Sequence, residues 1–375
     1  MKILAYNSSA RGAGQYIRSL KIAKILTEYF LDANFLILVG NSYLEKSLPV
    51  RTEIIALPKV FKSLDGVPQT QLTNLQEVFL IRKALINSVI ENYNPDAFIV
   101  DSRPSGLNGE LIDILKLLKK RKTKSILMLR DIVDSPEIVI KQWKENNYYS
   151  LVEDLYDKII VLGDKYIFDA TYNYRFEKFD NKVLHIGYIG NLSKPNIKIE
   201  NENRKKEALV TVGGGYDGEK IINTICQLIS TRDIDLKFNI VLGGNTCMNI
   251  GEILNEYNLS SQKAEFYVHI DKIENLILNS EFAVCMAGYN TIYELMEMRK
   301  KMVVIPRNIS GKEQLIRVDL ISKYYDGIWS IPMDTLSLDT LNEKIENVLK
   351  SKKPEKRLVL SGKQNLINFF ETEIL

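Results

Sequence analysis

The feature that most constrains this chain is an alternation of short apolar runs with amphipathic helical patterns, carried through twice. The first series runs Lys2 to Tyr6, Phe35 to Val39, Glu53 to Leu57, Ala97 to Asp101, Ser125 to Arg130, Lys158 to Leu162 and Val183 to Gly187. The second runs Ala208 to Val212, Lys237 to Leu242, Ala264 to Val268, Glu281 to Cys285, Met302 to Pro306 and Ile328 to Ile331. Apolar, β-branched runs separated by helices are the pattern of parallel strands buried on both faces. Between the two series, residues 191–207 are rich in Asn, Lys and Glu and include Pro195, as a linker does. At 375 residues the chain also exceeds one ordinary core. The expected architecture is α/β, with parallel-sheet domains at residues 1–190 and 208–350. Residues 351–375 begin basic and turn helical, and Leu366, Ile367, Phe369 and Phe370 give that helix an apolar face that must dock.

Charge and cysteine content narrow the partners. A net charge of +3 does not call for nucleic acid. Cys226, Cys247 and Cys285 are odd in number and widely spaced, as reduced thiols are, which suits the cytoplasm. No apolar run approaches the ~20 residues that span a bilayer, and the N-terminus lacks the core of a signal peptide. A cytoplasmic protein is expected. The pattern Gly109 to Lys122 carries Leu111, Ile114, Leu115 and Leu118 on one side and ends in Lys116, Lys119, Lys120, Arg121 and Lys122. It reads as a solvated face with cations at a helix C-terminus, or as a weak peripheral membrane contact.

In doubly wound sheets, ligands sit beyond the carboxyl ends of the strands, so the residues after each run carry the chemistry. In the second domain, Gly288 turns the chain from a buried run into a helix carrying Asn290, Thr291 and Glu294. Free N–H groups at such a start suit a phosphate, and a carboxylate on the neighbouring turn suits ribose hydroxyls. The bland alternative is a capping box, Thr291-x-x-Glu294. Glu313, Gln314 and Arg317 share one side of a later helix, from which Gln314 and Arg317 could reach a sugar or diphosphate; there the alternative is the box Ser310-x-x-Glu313 with a surface Arg. Gly213-Gly214-Gly215-Tyr216-Asp217-Gly218 meets the spacing of a dinucleotide fingerprint, but the next run ends in Gly243-Gly244-Asn245 instead of an acid, and no P-loop Lys follows. What remains is a loop able to approach phosphate.

In the first domain the loop Asn7 to Gln15 contains Gly12 and Gly14, with Ile17 where a third fingerprint glycine would stand. Asp101 and Arg103 follow one strand, and Arg130, Asp131 and Asp134 follow the next. Asp134, before Ser135-Pro136, reads as a helix cap. His185, His269 and the scattered cysteines have no metal-ligand spacing, and Asp233-Ile234-Asp235 precedes a strand as a solvated turn. No metal is expected.

Met286-Ala287-Gly288-Tyr289-Asn290-Thr291 with Glu294, Ile305-Pro306, and Glu313-Gln314 with Arg317 resemble the MurG-like branch of the GT-B glycosyltransferases. Asp101 to Glu110, Leu129-Arg130-Asp131-Ile132 and Gly187-Tyr188 are similar to predicted bacterial glycosyltransferases within it. The resemblance implies two Rossmann-like domains with a cleft between them, and a terminal helix packed back on the first. It further implies a nucleotide-sugar donor on the second domain, UDP-sugar by default with dTDP and GDP open, no separate cofactor, and an acceptor of unknown kind on the first. By the same resemblance Glu294 would hold the ribose, Gly288 the diphosphate, and Gly214 and Gly215 would approach the donor. His269 and Ile270 would contact the base, and Gln314 the sugar. Gly12, Gly14, Gln15, Arg103 and Arg130 would line the acceptor side. Where related enzymes place a histidine in the first glycine loop, this chain has Gln15, whose amide cannot act as a base. Asp131 and Asp101 are the candidates for that role. A nucleotide-sugar hydrolase or epimerase, or a non-catalytic binding protein, are the alternatives on the same scaffold.

Overall fold

A computed structural model describes the chain except for residues 9–12, 41–47, 63–66, 73, 191–205, 216, 245, 269, 271–272, 308–310 and 357. It divides into two compact units, Met1–Ile189 with Leu360–Leu375, and Gly190–Val359.

The strands of the first unit are β1 (Lys2–Asn7), β2 (Asn34–Val39), β3 (Thr52–Ala56), the short antiparallel pair β4 (Phe61–Lys62) and β5 (Pro68–Gln69), β6 (Ala97–Asp101), β7 (Lys124–Arg130), β8 (Lys158–Leu162) and β9 (Val183–His185). Seven of them form one parallel sheet in the order β3-β2-β1-β6-β7-β8-β9. The order reverses between β1 and β6, so the loops that follow these two strands flank a topological switch point. Residues Ile3 to Tyr6 and Ala97 to Val100 are buried, as a sheet covered on both faces requires.

The terminal helix Gly362–Glu373 completes this unit. Leu366, Ile367, Phe369 and Phe370 are buried, each contributing about 1.5–3 kcal/mol. Polar anchors fix its entry: the Gly362 N–H donates to the Tyr188 carbonyl at 3.1 Å, and Asn365 Nδ2 to the Ile186 carbonyl at 2.9 Å.

The second unit contains β10 (Glu207–Thr211), β11 (Lys237–Val241), β12 (Ala264–Tyr267), β13 (Ser280–Cys285), β14 (Lys301–Val304) and β15 (Ile328–Ser330), all parallel in the order β12-β11-β10-β13-β14-β15. Its switch point lies between β10 and β13. Phe238, Ile240, Phe282, Val284, Val303 and Ile305 form the centre of its core with Ile221, Ile225 and Leu228 from one covering helix. Cys226 and Cys285 are buried free thiols, pushed up to about 12 by burial, and Cys247 is exposed.

Three expectations are corrected. Glu207, placed above in the linker, is a buried strand residue whose Oε2 accepts from Asn239 Nδ2 at 2.9 Å. The continuous helix expected from Gly109 to Lys122 is a short 3-10 turn, Leu107–Gly109, followed by a helix over Ile112–Lys120. Positive φ at Gly106, Asn108 and Gly109 breaks it, and the break turns Glu110 inward. Asp134 precedes the cap position, which Ser135 holds, and its Oδ1 accepts from the Ser135 N–H at 2.7 Å.

Candidate functional site

Beside the switch point of the second unit, the backbones of the glycine loops that follow β10 and β11 press together. A Cβ on Gly215 (φ +83°) would lie 2.3 Å from the Leu242 carbonyl oxygen, and one on Gly243 (φ +84°) 2.4 Å from that of Gly213. Gly215, read above as a donor-approach residue, is thus required by loop packing. Gly213 differs: its φ is +65°, and a Cβ there would meet nothing within 4 Å. Gly215→Ala is therefore expected to destabilise the second unit by more than Gly213→Ala, which carries only the left-handed backbone cost of about 1–2 kcal/mol. Chemical denaturation of the two variants checks this, and equal losses would mean that the loops part without cost.

Opposite these loops stands the helix Tyr289–Glu297, which begins directly beyond β13. Its N-cap is Gly288, with no side-chain cap, so the capping box Thr291-x-x-Glu294 is not formed. Thr291 lies inside the helix at its third position. It was the end of β13, set by pairing with β10 and β14, that placed the helix start earlier than the box requires. Gly288 has open space where a Cβ would point. Asn290, Thr291 and Glu294, all half-buried, lie along the first turns.

A third group braces this start from below. Gln314 Oε1 accepts from the Ala287 N–H at 3.1 Å and the Arg307 N–H at 2.9 Å, tying the loop after β13 to the loop after β14. Arg317, fully buried, donates from Nη1 to the Ala287 carbonyl at 2.8 Å, and its Nη2 lies 3.6 Å from Glu313 Oε2. Arg317 and the Gln314 oxygen therefore hold the Gly288 loop. The helix Glu313–Ile321 has Lys312 as its N-cap without a side-chain cap, and the Ser310 of the box considered above lies outside the described residues. Arg307 was missing from the sequence reading. Its Nη1 meets Asp217 Oδ2 at 3.2 Å and its Nη2 meets Glu313 Oε1 at 3.0 Å, linking the first glycine loop to the third element. The available signal was an arginine directly after a strand-ending proline. Ile270 is half-buried beyond β12; His269 lies outside the described residues.

The switch point of the first unit is polar and tightly bonded. Asp101, at the end of β6 and 3% exposed, receives the Arg18 fork, Nε to Oδ2 at 3.0 Å and Nη2 to Oδ1 at 2.8 Å. Gln15 Nε2 donates to the Asp101 carbonyl at 3.1 Å and to Ser102 Oγ at 2.9 Å, and its Oε1 accepts from Ser8 Oγ at 3.4 Å. Ser102 holds φ +62°, uncommon for a residue with a Cβ and a mark of local constraint. Gln15 is thus a clamp between the loops after β1 and β6. Gly14 opens its helix, Arg103 is half-buried, and Gly12 lies outside the described residues.

Asp131 follows β7 and is 2% exposed. A Cβ on Gly163, in the loop after β8, would lie 2.9 Å from its Cβ, so glycine is needed for the two loops to meet. Arg130 Nη2 donates to the Val133 carbonyl at 2.9 Å, and the Tyr174 hydroxyl accepts from the Val133 N–H at 2.9 Å while donating to the Asp134 carbonyl at 3.1 Å. The Asp131 loop is therefore fixed in shape. Among the described residues no group of His, Cys, Asp and Glu is arranged to hold a metal, and no helix is long and apolar enough to cross a membrane.

Residues 209–367 match the glycosyltransferase family 28 C-terminal domain. A UDP-N-acetylglucosamine--N-acetylmuramyl-(pentapeptide) pyrophosphoryl-undecaprenol N-acetylglucosamine transferase from Streptococcus pneumoniae (strain Hungary19A-6) is 25% identical over 205 residues, 51% of this chain and 54% of that one. Over the whole chain, MurG from Acinetobacter baumannii superposes with a TM-score of 0.56 at 10% identity, covering 98% of this chain and 92% of that one. The chain has the GT-B fold, and residues 209–367 are similar to the family 28 C-terminal domain. It spans about half the length of the curated relatives it matches. The GT-B fold is shared beyond transferases: a protein described as a UDP-N-acetylglucosamine 2-epimerase from Listeria monocytogenes superposes with a TM-score of 0.61 at 11% identity, covering 99% of this chain and 96% of that one.

Proposed function

We propose that this chain transfers a sugar from a nucleoside diphosphate sugar, a UDP-sugar first among the candidates, to a hydroxyl acceptor held by the first unit. The observation that carries this reading is the uncapped, open start of the Tyr289–Glu297 helix, with Glu294 on its second turn. The helix N-terminus meets the charge of the leaving diphosphate, and Glu294 accepts from the ribose hydroxyls. The reaction is inverting and needs no metal in this reading: the acceptor hydroxyl loses its proton to Asp131 as its oxygen attacks the anomeric carbon, and the nucleoside diphosphate departs from the opposite face.

A lipid-linked acceptor fits a second feature. On the helix Leu75–Tyr93, Leu80, Ile81 and Leu85 are exposed, 67%, 45% and 38% accessible, and Ile81 and Leu85 are neighbours one turn apart. Lys83 Nζ to Asp113 Oδ2, 2.6 Å, joins this helix to Ile112–Lys120, whose last turn carries Lys119 and Lys120. Apolar and cationic groups side by side suit weak peripheral contact with an anionic membrane.

The donor reading is tested with a thermal-shift panel of UDP, dTDP, GDP, ADP and NAD. A ligand at about 100 times its Kd stabilises by ~2.7 kcal/mol, and a selective rise with one pyrimidine or guanine diphosphate is expected. Glu294→Ala is expected to weaken that ligand about 10–100-fold, the range for hydrogen bonds to a charged group. Unchanged affinity in a folded variant sinks the ribose assignment, and a response to NAD alone sinks the reading. The epimerase likeness keeps one alternative open, decided by isomerisation of the donor sugar without acceptor.

A further inference from the structure

We propose that Asp217 occupies the place on the Arg307 guanidinium that a donor phosphate takes, so that binding exchanges a carboxylate for a phosphate. This rests on the donor reading above. Arg307 is pinned close to the open helix start: one Gln314 oxygen accepts from both its N–H and that of Ala287, the residue before Gly288. Its guanidinium has two partners of different character. Glu313 is 5% exposed and shared with Arg317, so it belongs to the fixed brace. Asp217 and Arg307 are 27% and 28% exposed, and Arg307 is the sole ion-pair partner of Asp217 among the described residues. The Arg307 Nε is buried and has no acceptor there. The guanidinium is thus partly exposed, with its Nε buried.

The charge inventory gives the exchange its direction. Arg307 pairs with Asp217 and Glu313, and Glu313 also faces Arg317. A diphosphate brought to the Gly288 helix start meets the Asp217 carboxylate as a like charge and Arg307 as a cation shaped for bidentate phosphate binding. An ion pair this exposed opens at small cost, whereas the buried Glu313–Arg317 pair does not. Asp217 on the first glycine loop then acts as a gate that only an anion displaces.

The test is calorimetric titration of the full chain with UDP, dTDP and GDP, each beside its nucleoside. Asp217→Asn is expected to tighten the bound diphosphate about 2–5-fold and to leave the nucleoside unchanged. Arg307→Gln is expected to weaken the diphosphate about 10–100-fold, again without effect on the nucleoside, with partial recovery in Arg307→Lys. If Asp217→Asn weakens both ligands together, the pair is a brace and the proposal falls. If the wild-type chain binds a diphosphate and Arg307→Gln binds it equally, the donor reading stands and this proposal alone is overturned. If no diphosphate binds the wild-type chain, both fail.

Discussion

Asp131→Asn is expected to lower turnover by about 10²–10⁴-fold, the usual contribution of a positioned general base, while leaving donor affinity unchanged. The expectation comes from what surrounds the competing groups. Gln15 has no basic atom, and its carboxamide is held by the Asp101 carbonyl and Ser102 Oγ. Both oxygens of Asp101 are engaged by the Arg18 fork. A base there must first leave a buried guanidinium, which is the costly way to break an ion pair. Asp131 is the other candidate carboxylate in the first unit, buried like Asp101, in a loop fixed by Tyr174 and pressed against Gly163. Asp101→Asn should therefore behave differently, lowering stability together with activity because Arg18 is left buried without its anion. Turnover under saturating donor, measured beside chemical denaturation, separates the two. Full activity in Asp131→Asn with a folding-neutral loss in Asp101→Asn would reverse the assignment. Gly163→Ala, which displaces Asp131 without altering its chemistry, should lower kcat and leave donor binding intact.

The second large effect lies in a buried ion pair of the first unit. Arg82 and Glu110 form a buried fork, Nη2 to Oε1 at 2.7 Å and Nε to Oε2 at 2.9 Å, with Arg82 Nη1 on the Pro58 carbonyl at 2.9 Å. The Tyr6 hydroxyl donates to Glu110 and accepts from the Leu107 N–H at 3.2 Å. Burial and then the Glu110 carboxylate push the Tyr6 phenol far above its ordinary range. Burial opposes the Arg82 charge, but Glu110 and Tyr6 outweigh it and raise its pKa. Glu110→Gln leaves a guanidinium buried without an anion and is expected to cost about 3–5 kcal/mol. Lys83→Ala, which removes the exposed pair with Asp113, should change stability by no more than about 1 kcal/mol. Urea denaturation followed by tryptophan fluorescence reads both, because Trp143 is buried in the first unit. The double variant Arg82→Met, Glu110→Leu should lose less than Glu110→Gln alone. Equal losses would mean that packing, not charge, governs the site.

The alternation of buried strands and amphipathic helices was legible because its period is local and fixes which face each element buries. The motif positions were legible for the same reason, since each follows a strand. The partners were not. Arg18 with Asp101 and Arg82 with Glu110 are joined by crossovers that place distant loops side by side, and no spacing in the chain encodes them. The capping box Thr291-x-x-Glu294 matched in residue type but not in register, because the helix starts three residues earlier, at Gly288. Gly215 looked like a ligand residue because glycine signals close approach without naming what approaches. Here it is the backbone of the neighbouring loop.

The terminal helix carries a consequence for synthesis. Residues 362–373 belong to the first unit yet leave the ribosome after all of residues 190–359. Until then the nascent first unit presents the surface that Leu366, Ile367, Phe369 and Phe370 later cover, and the second unit has its whole sheet available to fold. Vectorial translation thus favours completion of the second unit while the first still waits for its last piece. A fragment ending at residue 189 preserves that waiting state and is the form in which this chain should be most prone to chaperone capture and aggregation.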